Sequence, residues 1–533
     1  MKLTAKCVCP VLLLFAVISP LFSQQQVDTI PKTEKVYLEH ADVQIFNKEI
    51  NADRELLNGN VRFRHDSTFM FCDSAYFFRE SSSLEAFGAV RMEQGDTLFV
   101  YGNYLFYDGN TEIAMVRENV KMESIQSSDS SIVTLFTDSL NYDRAANIGY
   151  YLEGGMIIDQ DNELTSLYGQ YSPGTKLAIF SDSVQLKNPQ FTLNSDTLHY
   201  STETKTAIIL SPAVIVSDSG TIYTSNGWYN TTDNTSLLFD RSQIISGNKA
   251  LTGDTIAYNK DTGVGEAFGN VFMQDTAYKV ILEGDYGYYN EQTEYAFTCG
   301  ENARMLEYSQ GDTLYMHADT NEMITTDSAA RVLKAYHNVR FYRSDVQGVC
   351  DSMQYTTADS VLSMYTDPIL WNENYQITGD TIRMYMNDST IDYVHVILYA
   401  FAVQLVDTSY YNQLKGNDLK AYFEGKAVNL IDIEGSAETI FYPSEENGSM
   451  IGMNETKSSY LRIWIKNNKL DRLLIWPKAE GKMTPIPDLQ PDQKILKGFY
   501  WYDYMRPQSK DDIFRVIERK TEDKPVRSNK FNF

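Results

Sequence analysis

The chain has 533 residues and a formal net charge of −25, which excludes nucleic-acid binding by counterion release. A single compact core of that size is unusual, so several domains or one repeat array are expected. Its 37 tyrosines and 26 phenylalanines against 14 prolines are strand chemistry, because aromatic rings suit a half-buried pleated surface.

The first element, residues 1–23, reads as a cleaved signal peptide. Lys2 and Lys6 precede an apolar run from Val11 to Phe22, and Ser23 offers a small residue before Gln24. The run is short for a membrane span and long enough for an export signal. Cys7 and Cys9 lie in or before it, so a lipid anchor is not expected. The cysteines left after export are Cys72, Cys299 and Cys350. They cannot all pair within one chain, so no disulfide framework is expected.

From Val36 to about Ile440 the chain repeats itself. Gly59-Asn60-Val61 returns as Gly88-Ala89-Val90, Glu118-Asn119-Val120, Asp182-Ser183-Val184, Gly269-Asn270-Val271 and His337-Asn338-Val339, at a loose period of about thirty residues. Between these marks runs a second pattern, apolar-x-small-Asp/Asn-x-apolar-x-aromatic. Copies are Val100 to Tyr107, Leu135 to Tyr142, Leu193 to Tyr200 and Leu251 to Tyr258. Equal parity shares a face in a strand. The apolar residues before and after the Asp/Asn step differ in parity, so the outgoing strand must change phase there, by a bulge or bend. The return strand reads as simple alternation through Leu57, Gly59, Val61 and Phe63. Turn residues such as Asp108-Gly109-Asn110 and Asn259-Lys260-Asp261 join the strands into hairpins. The recurring carboxylates are thereby bend residues rather than catalysts.

The array weakens beyond Ile369. Residues 441–486 read as a terminal β repeat, with strands at Tyr460 to Ile465 and Leu470 to Trp476. Residues 487–533, with Phe499, Trp501, Arg506 and a basic end, read as a capping or docking tail. The six histidines, His40, His65, His199, His317, His337 and His395, form no metal-spaced pair. No nucleophile elbow or phosphate-binding glycine loop occurs. The sequence therefore implies no enzyme, no catalytic residue, no metal and no cofactor.

The paired motifs, best seen in Gly253-Asp254-Thr255-Ile256-Ala257-Tyr258 followed by Ala267-Phe268-Gly269-Asn270-Val271, resemble the OstA/LptA family of lipopolysaccharide transport proteins, and especially its larger OstA-like members. The resemblance covers about Val36 to Ile440. The chain is longer than single-domain members and lacks the alternating membrane barrel of the outer-membrane translocon. The resemblance implies an all-β fold, an elongated array of bent antiparallel strands forming an open, V-shaped β-jellyroll. It also implies a periplasmic location, possibly associated with the outer membrane, and a groove that carries the acyl chains of lipopolysaccharide or a related glycolipid. Partners would be that lipid and other lipopolysaccharide-transport proteins, joined by edge-strand pairing, with no nucleic acid. The expected groove residues are Val61, Phe63, Val90, Met92, Val100, Leu105, Tyr107, Leu135, Leu140, Tyr142, Leu198, Tyr200, Ile256, Tyr258, Val271 and Met273. Two other readings remain open at this point: a parallel β-helix adhesin or polysaccharide-acting protein, and a ligand-free β scaffold for envelope assembly.

Overall fold

The structure is a computed structural model that describes residues 35–520, apart from 47–52, 127–129, 309–310, 327–329, 388–390, 426, 446–448 and 468. The expected signal peptide at 1–23 and the last residues of the tail, 521–533, lie outside the described residues. The described chain is built of forty strands in one hydrogen-bonded sheet, with only four short 3-10 turns near the C-terminus. Every strand pairing is antiparallel, from the N-terminal Tyr37–His40 against Arg54–His65 to Gly452–Lys466 against Glu480–Pro485. That removes the parallel β-helix.

Strands such as Arg54–His65, Thr68–Phe78, Leu177–Asn188 and Val264–Asp275 run through two half-sheets and bend between them. In other repeats the bend breaks the strand in two. Gly155–Asp159 then continues one half-sheet while Ile148–Tyr151 continues the other. About 28 strand layers at roughly 4.8 Å per step make a body on the order of 130 Å long.

The bend has a defined chemistry. Opposite Asp73, the return strand carries one extra residue: Asn58 pairs with Ser74 and Val61 with Cys72, leaving Gly59 and Asn60 between them. Both have left-handed backbones, at φ 81° and 46°. Phe268 and Val271 flank the same step at Gly269-Asn270. The return strand is thus not simply alternating; its Gly-Asn pair is a two-residue left-handed bulge. Where the first position is glycine the approach is close, since a Cβ on Gly269 would sit 2.7 Å from Asp254 Oδ2; other copies hold Glu118, Asp182 or His337 there at φ 62–65°. The second residue donates to the same carboxylate, Asn270 Nδ2 to Asp254 Oδ2 at 2.6 Å and Asn60 Nδ2 to Asp42 Oδ2 at 2.8 Å. The recurring aspartates hold the bend.

Apolar side chains from both half-sheets meet in one core that extends from Val36 to Leu461. Each fully buried aliphatic side chain there contributes about 1.5–3 kcal/mol relative to exposure. The interior is closed. The half-sheets meet again at their strand tips, so the molecule is a closed, barrel-like tube in section and not the open V-shaped jellyroll that the sequence suggested. The reason lies in the polar residues at those tips, described next.

Candidate functional site

Fifteen of the expected groove residues are buried in the core: Val61, Phe63, Val90, Met92, Val100, Leu105, Tyr107, Leu135, Leu140, Tyr142, Leu198, Tyr200, Ile256, Val271 and Met273. The last of the sixteen, Tyr258, is half-buried and packs against them. Apart from Tyr258 and Met273, which border a small cavity, they touch one another across a filled interior rather than lining a channel. Leu105, Leu140, Leu198 and Ile256 are 0% exposed.

The mouth opposite the bend is latched. At the tips of one half-sheet stand tyrosines, and at the tips of the other stand acceptors and donors for their hydroxyls. Tyr107 Oη lies 2.6 Å from His65 Nδ1, and Arg144 from the same tip row reaches Asp66 at 3.5 Å. Tyr142 Oη donates to Gln94 Oε1 at 2.7 Å. Gln126 Nε2 donates to Tyr171 Oη at 2.8 Å. Tyr200 Oη donates to Asp159 Oδ2 at 2.9 Å and accepts from Asn162 Nδ2 at 3.0 Å. Lys205 Nζ donates to Asp159 Oδ1 at 2.7 Å, and that carboxylate is wholly buried. Tyr229 Oη donates to Asn234 Oδ1, whose amide in turn donates to Gln190 Oε1 at 2.9 Å. Further along, Ser246 Oγ donates to Glu291, and Lys249 Nζ donates to Tyr289 Oη and Glu294 at 3.1 and 3.0 Å. The row reaches Arg331, which sits 3.2 Å from Glu294 and 3.9 Å from Asp275, under the ring of Tyr278.

Burial sets the electrostatics of this seam. It raises the phenols of Tyr107, Tyr142 and Tyr229 well above their ordinary range, and Tyr200 further still because Asp159 stands beside it. The tyrosines are neutral donors and acceptors near neutral pH. A buried phenol that finds a partner is favourable, and one that does not is costly. The seam can therefore close the tube.

From about Ile244 onward the interior loosens. A cavity of about 150 Å³ lies between Met305, Met316, Met323, Met353, Met384 and Phe341. A smaller one of about 50 Å³ touches Ile244, Leu251, Met273 and Met323. Methionine fills irregular space with little shape specificity. Even the larger cavity falls below the ~300–1,000 Å³ of ordinary small-molecule pockets. A glycolipid with several acyl chains does not fit. Cys72 and Cys350 are buried, with burial pushing the Cys72 thiol up to about 12. His317 Nδ1 lies 2.7 Å from the carbonyl of Ala303.

The family described as OstA-like protein matches residues 33–196. That stretch of the chain is OstA-like. The OstA-like segment contains the first three tyrosines of the seam, Tyr107, Tyr142 and Tyr171, together with the first bulges, and left-handed bulge pairs continue past it to Gly435-Ser436. Among solved structures, one similar chain is LptH, the LptA-homologous periplasmic component of the lipopolysaccharide transport device from Pseudomonas aeruginosa, at 15% identity, covering 25% of this chain and 76% of that one, with a TM-score of 0.15. So slight a likeness carries no functional argument. No curated protein matches the chain significantly. The acyl-chain groove implied by the resemblance is overturned by the latched mouth and filled core, in spite of the OstA-like segment.

The sequence pointed to the inward residues but not to the seam. A usable signal was present: Tyr142, Tyr171, Tyr200, Tyr229 and Tyr258 each hold the last inward position of a strand. Tyrosine rather than phenylalanine at a strand tip asks for a hydroxyl partner across the tube.

Proposed function

We propose that the chain is a non-catalytic, elongated spacer or scaffold of the cell envelope that works through its two ends. The observation that carries this reading is the pair of edges left open at the two ends. Tyr37, Val43, Ile45 and Phe46 at one end and Leu470, Leu473, Leu474, Trp476 and Met483 at the other are exposed. These residues lie on edge strands. Tyr37–His40 and Val43–Phe46 pair only with Arg54–His65, and Lys469–Trp476 and Glu480–Pro485 pair only with Gly452–Lys466, among the described residues. Unpaired edges with apolar side chains are templates for a partner's strand. The OstA-like segment supports a periplasmic, envelope-associated location in general terms; attachment near the outer membrane and pairing with other envelope transport proteins belong to the proposal.

The test is photo-crosslinking in cells, with the reactive residue at Ile45 or Leu474 and a control at Asn194, exposed in mid-body. Discrete protein adducts at both ends and none at Asn194 are expected. Absence of adducts at both ends in folded, abundant protein would overturn the reading.

A further inference from the structure

After Glu480–Pro485 the chain turns back and runs as a strap, without regular strand, across the outer face of one half-sheet. Leu489 and Leu496 join Phe401, Val403, Ile440 and Tyr442; further on, Tyr502 and Met505 cover Val349, Ile369 and Trp371. The strap is held by Arg506, whose Nε and Nη2 donate to Gln347 Oε1 at 2.8 and 2.6 Å and whose Nη1 donates to the Glu373 carbonyl at 2.8 Å, and by two contacts to its main chain. Gln413 is 0% exposed; its Nε2 donates to the Lys494 carbonyl at 2.8 Å and its Oε1 accepts from the Leu496 amide at 2.8 Å. Gln376, 1% exposed, repeats the arrangement, with Nε2 to the Tyr500 carbonyl at 2.9 Å and Oε1 from the Tyr502 amide at 2.7 Å. Each side-chain amide thus pairs with residues i and i+2 as a neighbouring strand would. Such pairing reads an extended backbone whatever its side chains.

The strap also leaves polar groups beneath it unsatisfied. Trp371 Nε1, Tyr442 Oη, and Arg340 Nε and Nη2 are buried without a hydrogen-bond partner among the described residues. Buried donors without partners are costly, a guanidinium most of all. The tail brings a second cation, Arg515, towards Arg340; burial first and that charge second lower the Arg340 guanidinium to about 10, against the opposing pull of Asp512.

We infer that this track is a docking site for an extended, acidic polypeptide segment of a partner protein, with the chain's own tail as its resident placeholder. Gln413 and Gln376 hold the partner's main chain, the apolar face takes its large side chains, and a carboxylate answers Arg340. A second copy's tail would leave the same donors unpaired, which is why an acidic partner is favoured over exchange between copies.

The test uses the full chain with its tail weakened by Trp501→Ala and Met505→Ala. The probes are two fluorescent synthetic peptides: the sequence of residues 489–519, and the same peptide carrying Arg515→Glu. Anisotropy is expected to show both peptides binding, the acidic one at least tenfold tighter. Gln376→Ala with Gln413→Ala in the protein should weaken both at least tenfold. Hydrogen exchange of the core strands confirms that each variant is folded. No binding by folded, tail-weakened protein, or binding indifferent to the glutamines, would overturn the track; equal affinity of the two peptides would overturn the acidic partner.

Discussion

The body from Arg54 to Leu238 and the section from Ile244 to Pro485 use one repeat in two ways. In the first, the interior is filled and the strand tips are latched, while the outer faces are left to solvent. In the second, the core holds a cavity of about 150 Å³ lined by methionines, and inward residues such as Ile431, Ile463 and Ile475 are only partly buried. There the outer face is covered by the strap. A bent strand has two faces on which to bury apolar surface, and the two sections divide that burial differently. The lesson is that the repeat fixes the bend, whereas residues at the tips and outside the array decide whether the tube is shut.

The largest expected effect is at the seam. Lys205→Ala leaves the wholly buried Asp159 carboxylate with Tyr200 and no cation. Removing one partner of a buried ion pair costs about 3–5 kcal/mol. Denaturation followed by hydrogen exchange should show that loss around Asp159 and Tyr200. Protection near Gln413 should be unchanged, because a long repeat array need not unfold as one unit.

Paired small-to-large substitutions sharpen the contrast. Ala178 and Ala335 are both buried, at 0% and 1% exposure, but Ala335 borders the cavity. Ala178→Leu should cost about 1–3 kcal/mol through overpacking. Ala335→Leu should be neutral or stabilising by up to ~1 kcal/mol by filling space. Melting curves of the two variants read the difference directly; equal losses would mean that the sections are packed alike.

Alkali should discriminate too. Burial pushes Tyr151 and Tyr258 up to about 12 from an ordinary value near 10, and raises Tyr107, Tyr142, Tyr200 and Tyr229 further. Unfolded phenols lose their protons near 10 while the folded ones keep them. Stability is therefore full below about 10 and declines as pH rises from there. Hydrogen exchange across that range should show the sealed body loosening by pH 11–12, with the seam strands first.

The smallest effect belongs to the bend. Asp254 is exposed and accepts from Asn270. Asp254→Asn keeps an acceptor and should change stability by no more than about 0.5 kcal/mol. A larger loss would show that the carboxylate charge, and not its shape, holds the bulge.

Much of this was legible in the sequence. The apolar residues around Val61, Val90 and Val271 mark the register, and the Gly-Asn step marks the bulge, because local sterics write both into adjacent residues. The seam was not, since His65 and Tyr107, or Asp159 and Tyr200, are joined across separate hairpins. In one-dimensional form Gln94, Gln126 and Asn162 look like any turn residues. The resemblance supplied the open groove, and nothing in the inward positions could contradict it: side chains that fill a core and side chains that line a channel have the same composition. The tail's partners, Gln347, Gln376 and Gln413, were equally silent, being polar residues on outward positions that become buried only once the strap lies over them.

The closed interior is tested most directly by native mass spectrometry of the full chain, extracted from its own membranes in mild detergent. The closed tube predicts the polypeptide mass alone, with any lipid lost at the lowest activation energy. A glycolipid retained at fixed stoichiometry, and released only as the protein unfolds, would contradict it.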